Sequence, residues 1–196
     1  YAPQLGAYLR EGGAFWVIGG RRSLAAGGYR GTPIGRWMPA VLRPLDAGDD
    51  GYRDATAGEL LTDVGARHPV TRIADDPDES ARLWRALTLP GHNTGLAARE
   101  EAATLLKAGD GSPVLALGTW GAGRTALLAT SGLWTWAFPD DRAPLPAEAM
   151  RRAHGRLLDQ LMRWLVRDPV FDDLRLEVPA EPIPQGSAAP IRVVAT

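Results

Sequence analysis

A short apolar run bounded by two glycine pairs constrains the fold more than any other feature of this sequence. Residues 14–18 read Ala-Phe-Trp-Val-Ile, and glycine pairs stand at 12–13 and 19–20. A continuous apolar run of this length is typical of a strand buried on both faces in a parallel sheet. The preceding segment, 3–11, has apolar residues on one helical face and ends at a glycine pair, as many helices do. Helix, buried strand and glycine-rich loop in this order indicate an open α/β sheet.

The middle of the chain predicts an antiparallel meander. Short strands are expected at 103–107, 114–117 and 125–129, because glycine-containing turns separate three short β-type segments. The segment 33–57 is rich in Pro, Gly and Asp, so we expect loop there with one strand near 40–45.

Helix ends are marked at two further places. Asp76 followed by Pro77 predicts an N-cap and a first helical residue. The longest helix is expected over 146–168, where apolar residues recur three and four positions apart. A short helix is expected to open near 131–136.

Composition excludes several classes of function. The chain has 196 residues, a net charge of −1 and no cysteine. The balanced charge argues against a nucleic-acid partner, and no apolar run approaches the roughly 20 residues of a membrane span. Without cysteine there is no disulfide, thiolate metal site or thiol nucleophile. The acidic pairs lack the spacing of a known metal motif, so we expect neither a metal nor a cofactor.

Four sequence blocks in order resemble the class I glutamine amidotransferase-like domain found in large bacterial membrane proteins. Together they span roughly residues 4–178. The first block runs from the glycine pair at 12–13 through Ser23 to Pro33, and the last is Trp-Leu-Val-Arg-Asp-Pro at 164–169. The intermediate blocks lie at 68–72 with 83–84, and at 113–116, 121–124 and 129–136.

The resemblance implies a flavodoxin-like three-layer α/β sandwich, with a mostly parallel sheet and an antiparallel edge meander. Such domains have strands before the first helix seen here, so residues 1–178 are expected to form a domain that lacks its first strand or strands. Residues 179–196 are expected to be a Pro-rich linker, 179–190, and the start of a β-rich segment; further strands are predicted at 174–178 and 191–194.

The resemblance also implies a location and partners. It indicates a soluble domain of a membrane-anchored bacterial protein, whose other domains would be its partners. A sheet that lacks strands exposes an edge, and a second copy of the chain is the candidate to cover it as a homodimer.

The same resemblance allows a test of the chemistry. Amidotransferases of this class carry a cysteine on a sharp turn after a strand, activated by a histidine. Here the corresponding position is approximately Arg21. A guanidinium stays protonated and is no nucleophile. Cysteine-dependent glutaminase activity is therefore excluded.

Two functional hypotheses remain for the loop after the first strand. The first is a non-catalytic module that binds a small ligand or a protein partner through this loop, whose residues are Gly19, Gly20, Arg21, Arg22 and Ser23. Its glycines lie where α/β folds place ligands, and its arginines suit a carboxylate or phosphate. The alternative is a hydrolase or transferase that uses Ser23 or a water as nucleophile, with a nearby histidine, His68, or an acid as base. A purely conformational role for the glycines is also open.

The other candidate residues have simpler interpretations. His92 is expected in a loop and His154 on a helix face. Trp16, Trp84 and Trp164 are expected in the core, whereas Trp120, Trp134 and Trp136 are candidates for a pocket or an interface.

Overall fold

The computed structural model describes residues 1–54 and 60–168, together with the strands at 174–177 and 192–195. The chain forms two compact units, residues 1–166 and 167–196. The α-helices of the first unit are α1 (Ala2–Arg10), α2 (Pro33–Trp37), α3 (Asp63–Arg67), α4 (Pro77–Ala86), α5 (Trp134–Ala137) and α6 (Ala147–Leu165). Its strands are β1 (Ala14–Ile18), β2 (Ala40–Leu42), β3 (Tyr52–Arg53), β4 (His92–Asn93), β5 (Leu96–Ala98), β6 (Ala103–Lys107), β7 (Pro113–Trp120) and β8 (Gly123–Leu128).

The main sheet has four strands in the order β1-β8-β7-β6. Strand β1 pairs with β8 in parallel, whereas β8 with β7 and β7 with β6 are antiparallel. The predicted α/β class and the edge meander are therefore confirmed. The parallel part of the sheet, within the described residues, is the β1–β8 pair, and β1 is an outer strand.

Both faces of β8 are covered. Leu127 and Ala129 belong to a buried cluster with Leu24 and Met38, which lie outside the sheet. Arg124 stacks over the ring of Trp164 in α6, with its guanidinium carbon 4.9 Å from the ring centroid. Because side chains alternate between faces along a strand, Arg124 and Leu127 point to opposite sides of the sheet. The sheet is therefore the middle of three layers.

The predicted helix signals correspond to local contacts. The Asp76 carboxylate accepts a hydrogen bond from the Glu79 backbone N–H at 2.8 Å, which caps α4. Helix α6 begins at Ala147 and buries a stripe of residues three or four apart: Met150, Ala153, Leu157, Leu161 and Leu165.

The segment between β1 and α4 contains more structure than expected. Helices α2 and α3 each have five residues, too few to produce an apolar period. Their caps are threonines: Thr32 accepts from the Gly35 N–H at 3.2 Å and Thr62 from the Gly65 N–H at 2.9 Å. A prediction based on composition therefore missed these two short, capped helices.

The tryptophans divide differently from the prediction. Trp84 and Trp136 are both fully buried, with ring centroids 5.7 Å apart. The Trp136 indole N–H donates to the Thr88 carbonyl at 2.8 Å, so the pocket or interface role was wrong for Trp136. Trp134, two residues earlier, is exposed.

The described strands of the second unit form an antiparallel pair, β9 (Leu174–Glu177) with β10 (Arg192–Ala195). These strands match the two expected at 174–178 and 191–194. The predicted linker, 179–190, lies outside the described residues.

Candidate functional site at the carboxyl ends of β1 and β8

The loop after β1 begins where two parallel strands end together. Ile18 is paired with Leu128 in register, and the Gly19 N–H donates to the Leu128 carbonyl at 2.7 Å. A Cβ atom added to Gly20 would lie 3.7 Å from the Cβ of Ser131, which follows β8. The carboxyl edge of a parallel pair is where open α/β sheets place ligands. The predicted loop therefore has the location of a binding site.

A buried asparagine fixes the start of this loop. Asn93 in β4 is fully buried, and its side-chain oxygen accepts from the Gly20 N–H at 3.0 Å. Its side-chain nitrogen donates to the Gly20 carbonyl at 2.9 Å and to the Gly51 carbonyl at 3.3 Å. The amide thus connects three segments that are distant in sequence. Sequence reasoning missed Asn93, because it stands in the Gly-rich stretch 91–95, where a loop was expected.

A tight turn follows at Gly20–Ser23. The Gly20 carbonyl accepts from the Ser23 N–H at 3.2 Å and from the Ser23 hydroxyl at 2.7 Å. Arg22 has a φ of +60° and Leu24 a φ of +53°, a region that disfavours side chains with a Cβ. The buried Leu24 side chain joins the core cluster, which accounts for its position. Arg22 is exposed, so nothing in the core accounts for its strain.

The two arginines of the loop have different surroundings. Arg21 pairs with Asp54 and lies 3.7 Å from a carboxylate oxygen of Asp50. Its guanidinium carbon also lies 4.9 Å from the centroid of the Tyr52 ring. Arg22 makes no ion pair with any residue that the structure describes. The unneutralised positive charge of the loop therefore belongs to Arg22 rather than Arg21.

The structure does not bring Ser23 and His68 together, and that pairing was wrong. The His68 ring packs edge-on to Trp164, whose ring lies under Arg124. Arg124 is paired with Ala14, at the amino end of β1, whereas Ser23 follows its carboxyl end. The His68 Nδ1 accepts from the Val70 N–H at 3.1 Å, which caps the 3₁₀ turn at 69–71. His68 is thus a structural residue at the opposite end of the sheet.

The other two histidines also lack a place in the site. His92 is buried in β4 rather than in a loop, and its Nε2 lies 3.2 Å from a carboxylate oxygen of Asp110. Burial alone would raise the pKa of Asp110, but hydrogen bonds from Ser112 and His92 outweigh it and lower that pKa. Partial burial on α6 lowers the pKa of His154. Adjacent strand residues point to opposite faces, so His92 is directed away from the loop that Asn93 holds.

The described residues carry neither a metal-ligand cluster nor a membrane-spanning helix. No cluster of three or more carboxylate or imidazole side chains in that part of the chain has the arrangement of a metal site. Among the helices described, none has both the length and the apolar character that a membrane crossing requires.

Comparisons with known proteins show the fold and no more. No family model matches this chain, and no curated protein matches it. Among solved structures, it is similar to Cytoplasmic Protein STM3548 from Salmonella typhimurium, with 19% identity and a TM-score of 0.58 over 84% of this chain and 59% of that one. It is also similar to Cytoplasmic Protein STM1381 from Salmonella typhimurium LT2, with 20% identity and a TM-score of 0.60 over 84% and 60%. The chain thus spans about three fifths of the length of these structures.

The strain at Arg22 leads to a prediction about stability. We expect Arg22→Gly to raise the free energy of unfolding by about 0.5–1 kcal/mol, because glycine adopts positive φ without a Cβ clash. Urea unfolding of both proteins measures the difference. Arg21→Gly is the matched control and should lower stability, because its φ is not positive and its ion pairs are lost. A loss of stability in Arg22→Gly as large as in the control would contradict the assignment of strain.

Proposed function

We propose that this chain is a non-catalytic glutamine amidotransferase-like module, which binds a small ligand or a protein partner through the loop that follows β1. The binding residues in this proposal are Gly19, Gly20, Arg21, Arg22 and Ser23, held in place by Asn93. Arg22 supplies the positive charge that a carboxylate or phosphate would meet.

The observation that carries the proposal is which residue has the strained backbone in the turn at Gly20–Ser23, and how the Ser23 hydroxyl is bonded there. Nucleophile-bearing turns of α/β enzymes hold the reactive residue in strained backbone at a strand end. Here the strained residue is Arg22, which has no nucleophilic atom. The neighbouring hydroxyl of Ser23 donates to the Gly20 carbonyl at 2.7 Å, so it is engaged within the turn. The turn thus has the strained backbone of a nucleophile-bearing turn, but its strained residue, Arg22, is suited to binding an anion.

The exposed position of Arg22 supports a role in binding a group from outside the chain. Backbone strain of about 1–3 kcal/mol is often found at functional sites. Arg22 is exposed, and neither the core nor an ion pair within the described residues accounts for its conformation. An external anionic group would give this guanidinium a partner.

The proposal extends to the setting of the module. On the sequence resemblance, the chain is a domain of a membrane-anchored bacterial protein, and the other domains of that protein are its partners. Ile18 on β1 is half exposed, and β1 is an outer strand of the sheet within the described residues. A second copy covering this edge would form a homodimer.

The competing function is a hydrolase or transferase that uses Ser23. It needs a base within about 3.2 Å of the hydroxyl, directly or through one water. His68 packs against Trp164 near the amino end of β1, and the Nε2 of His92 lies 3.2 Å from a carboxylate oxygen of Asp110, so neither ring is close to the Ser23 hydroxyl. The arrangement therefore favours the binding module.

Assays of glutamine and ester hydrolysis separate the two functions. We expect wild-type protein and Ser23→Ala to release ammonia from glutamine, and p-nitrophenol from p-nitrophenyl acetate, only at the rate of a buffer blank. Loss of a catalytic serine lowers kcat by about 10⁴-fold or more, so a true nucleophile would be unmistakable. Turnover in the wild type that disappears in Ser23→Ala would replace the module with the hydrolase.

A further inference from the structure

A second surface feature lies beyond the loop of the proposed function. A cavity of about 320 Å³ lies beside α5, between the segment at 88–90, the loop at 139–144 and Met150 of α6. Its volume is at the lower end of the range for small-molecule sites. Trp134, Phe138 and Arg142 line it, together with Pro90 and Pro144.

Two aromatic side chains at this cavity, Trp134 and Phe138, are exposed to solvent. Trp134 is 59% exposed and Phe138 is 75% exposed. The Phe138 N–H donates to the Trp134 carbonyl at 3.0 Å, closing one helical turn, so the two residues lie on the same face. Adjacent exposed aromatic side chains of this size are typical of binding surfaces rather than of inert ones.

Contacts of Thr135 and of the buried Trp136 hold α5, the short helix that carries these rings, in place. Trp136 is fully buried, and its indole N–H donates to the Thr88 carbonyl at 2.8 Å. The Thr135 hydroxyl donates to the Gly132 carbonyl at 2.9 Å. These contacts orient α5, so the exposed rings are presented without a cost of ordering the helix on binding.

The ionisable side chains of the cavity lining are one cation, Arg142, and one anion, Asp140. Within the described part of the chain, the Arg142 guanidinium makes no ion pair. The other ionisable residue of the lining, Asp140, accepts from the Arg142 backbone N–H at 2.9 Å and thereby shapes the loop. A ligand's acidic group therefore has one available cation, with aromatic and proline rings beside it.

The geometry points to a binding site for a small planar aromatic carboxylate. Its ring packs against Trp134 and Phe138, and its carboxylate pairs with the guanidinium of Arg142. The volume favours a small molecule over a protein segment. The Arg142 guanidinium has no carboxylate partner among the described residues, whereas one oxygen of Asp140 is already engaged by the Arg142 N–H, and this difference favours an acid over a cationic ring. This site is separate from the loop after β1 and does not depend on the function proposed for that loop.

Three probes of equal ring size test the site: 2-naphthoate, 2-naphthol and 2-naphthylmethylammonium. Each is titrated into the protein while the indole N–H resonance of Trp134, assigned with Trp134→Phe, is followed by NMR. We expect naphthoate to bind about threefold to tenfold more tightly than naphthol, a margin limited by solvent screening of an exposed arginine. The cationic probe should bind most weakly.

Variants distinguish the proposed contacts from adventitious binding. Arg142→Gln should abolish the preference for naphthoate, whereas Arg43→Gln, an exposed arginine outside the cavity, should retain it. Trp134→Ala should weaken the binding of all three probes; because this variant lacks the indole N–H, its binding is followed through the ring-proton resonances of the probes themselves. Equal affinity for the three probes, no binding by any of them, or a preference that survives in Arg142→Gln would each overturn the site. The cavity would then be left as a surface for a protein partner or as plain solvent-exposed surface.

Discussion

Gly19→Ala should destabilise the protein by about 3 kcal/mol or more, as expected when a side chain is forced into a closely packed interior. A Cβ atom at this position would overlap the side-chain oxygen of Asn93 and lie 2.9 Å from the backbone of Ala129. Neither neighbour can retreat easily. Asn93 is hydrogen-bonded on both sides of its amide, and Ala129 continues the central strand β8. Urea unfolding measures the loss.

Gly20→Ala, one residue later, is the matched control for this prediction. Its added Cβ would meet no atom closer than 3.7 Å, and its φ is not positive. We expect a change in stability within about 0.5 kcal/mol, since Gly→Ala at a compatible position costs nothing and restricts the unfolded chain. Equal losses at the two positions would mean that the loop does not approach Asn93 as described.

The parts of the fold that were predicted correctly are those with local causes. Strand β1 is an uninterrupted apolar run between glycine pairs, so its ends could be assigned from neighbouring residues alone. The same is true of the capped start of α4 and the apolar stripe of α6. The expected burial of β1 on both faces was wrong, because β1 is a half-buried outer strand of the described sheet. Helices α2 and α3 were missed because five residues cannot show a helical period, and because their stability depends on threonine caps and packing.

Only the contiguous segment of the candidate site was predicted. The loop at 19–23 was identified from a strand end and its glycines. The partners of Arg21, Asp50 and Asp54, come from a segment about 30 residues further along, and Asn93 from one more distant still. No periodicity connects such positions, because they meet only through the arrangement of β3 and β4. The Ser23–His68 pair failed for the same reason, because the order of motifs along the chain does not give the distance between them in the folded structure.

Asn93→Ala should cost about 2–4 kcal/mol and loosen the loop that carries the proposed binding residues. The substitution removes three hydrogen bonds from a fully buried position. The carbonyls keep other donors, Ser23 for Gly20 and Thr94 for Gly51, but the Gly20 N–H is left without an acceptor among the described residues. Amide exchange at Gly20 should therefore accelerate more than the loss of global stability accounts for.

Asn93→Asp tests which half of the amide matters, through the pH dependence of stability. A carboxylate still accepts from the Gly20 N–H, but its second oxygen faces the Gly20 and Gly51 carbonyls where the amide nitrogen donated. Two facing carbonyls raise the pKa of that carboxyl in the folded state, so the folded protein binds a proton more tightly than the unfolded chain. The stability of this variant relative to wild type should then rise as pH falls, because the protonated acid regains a donor. A variant as stable as wild type at neutral pH, with no such dependence, would show that the two donated bonds contribute nothing to holding the loop.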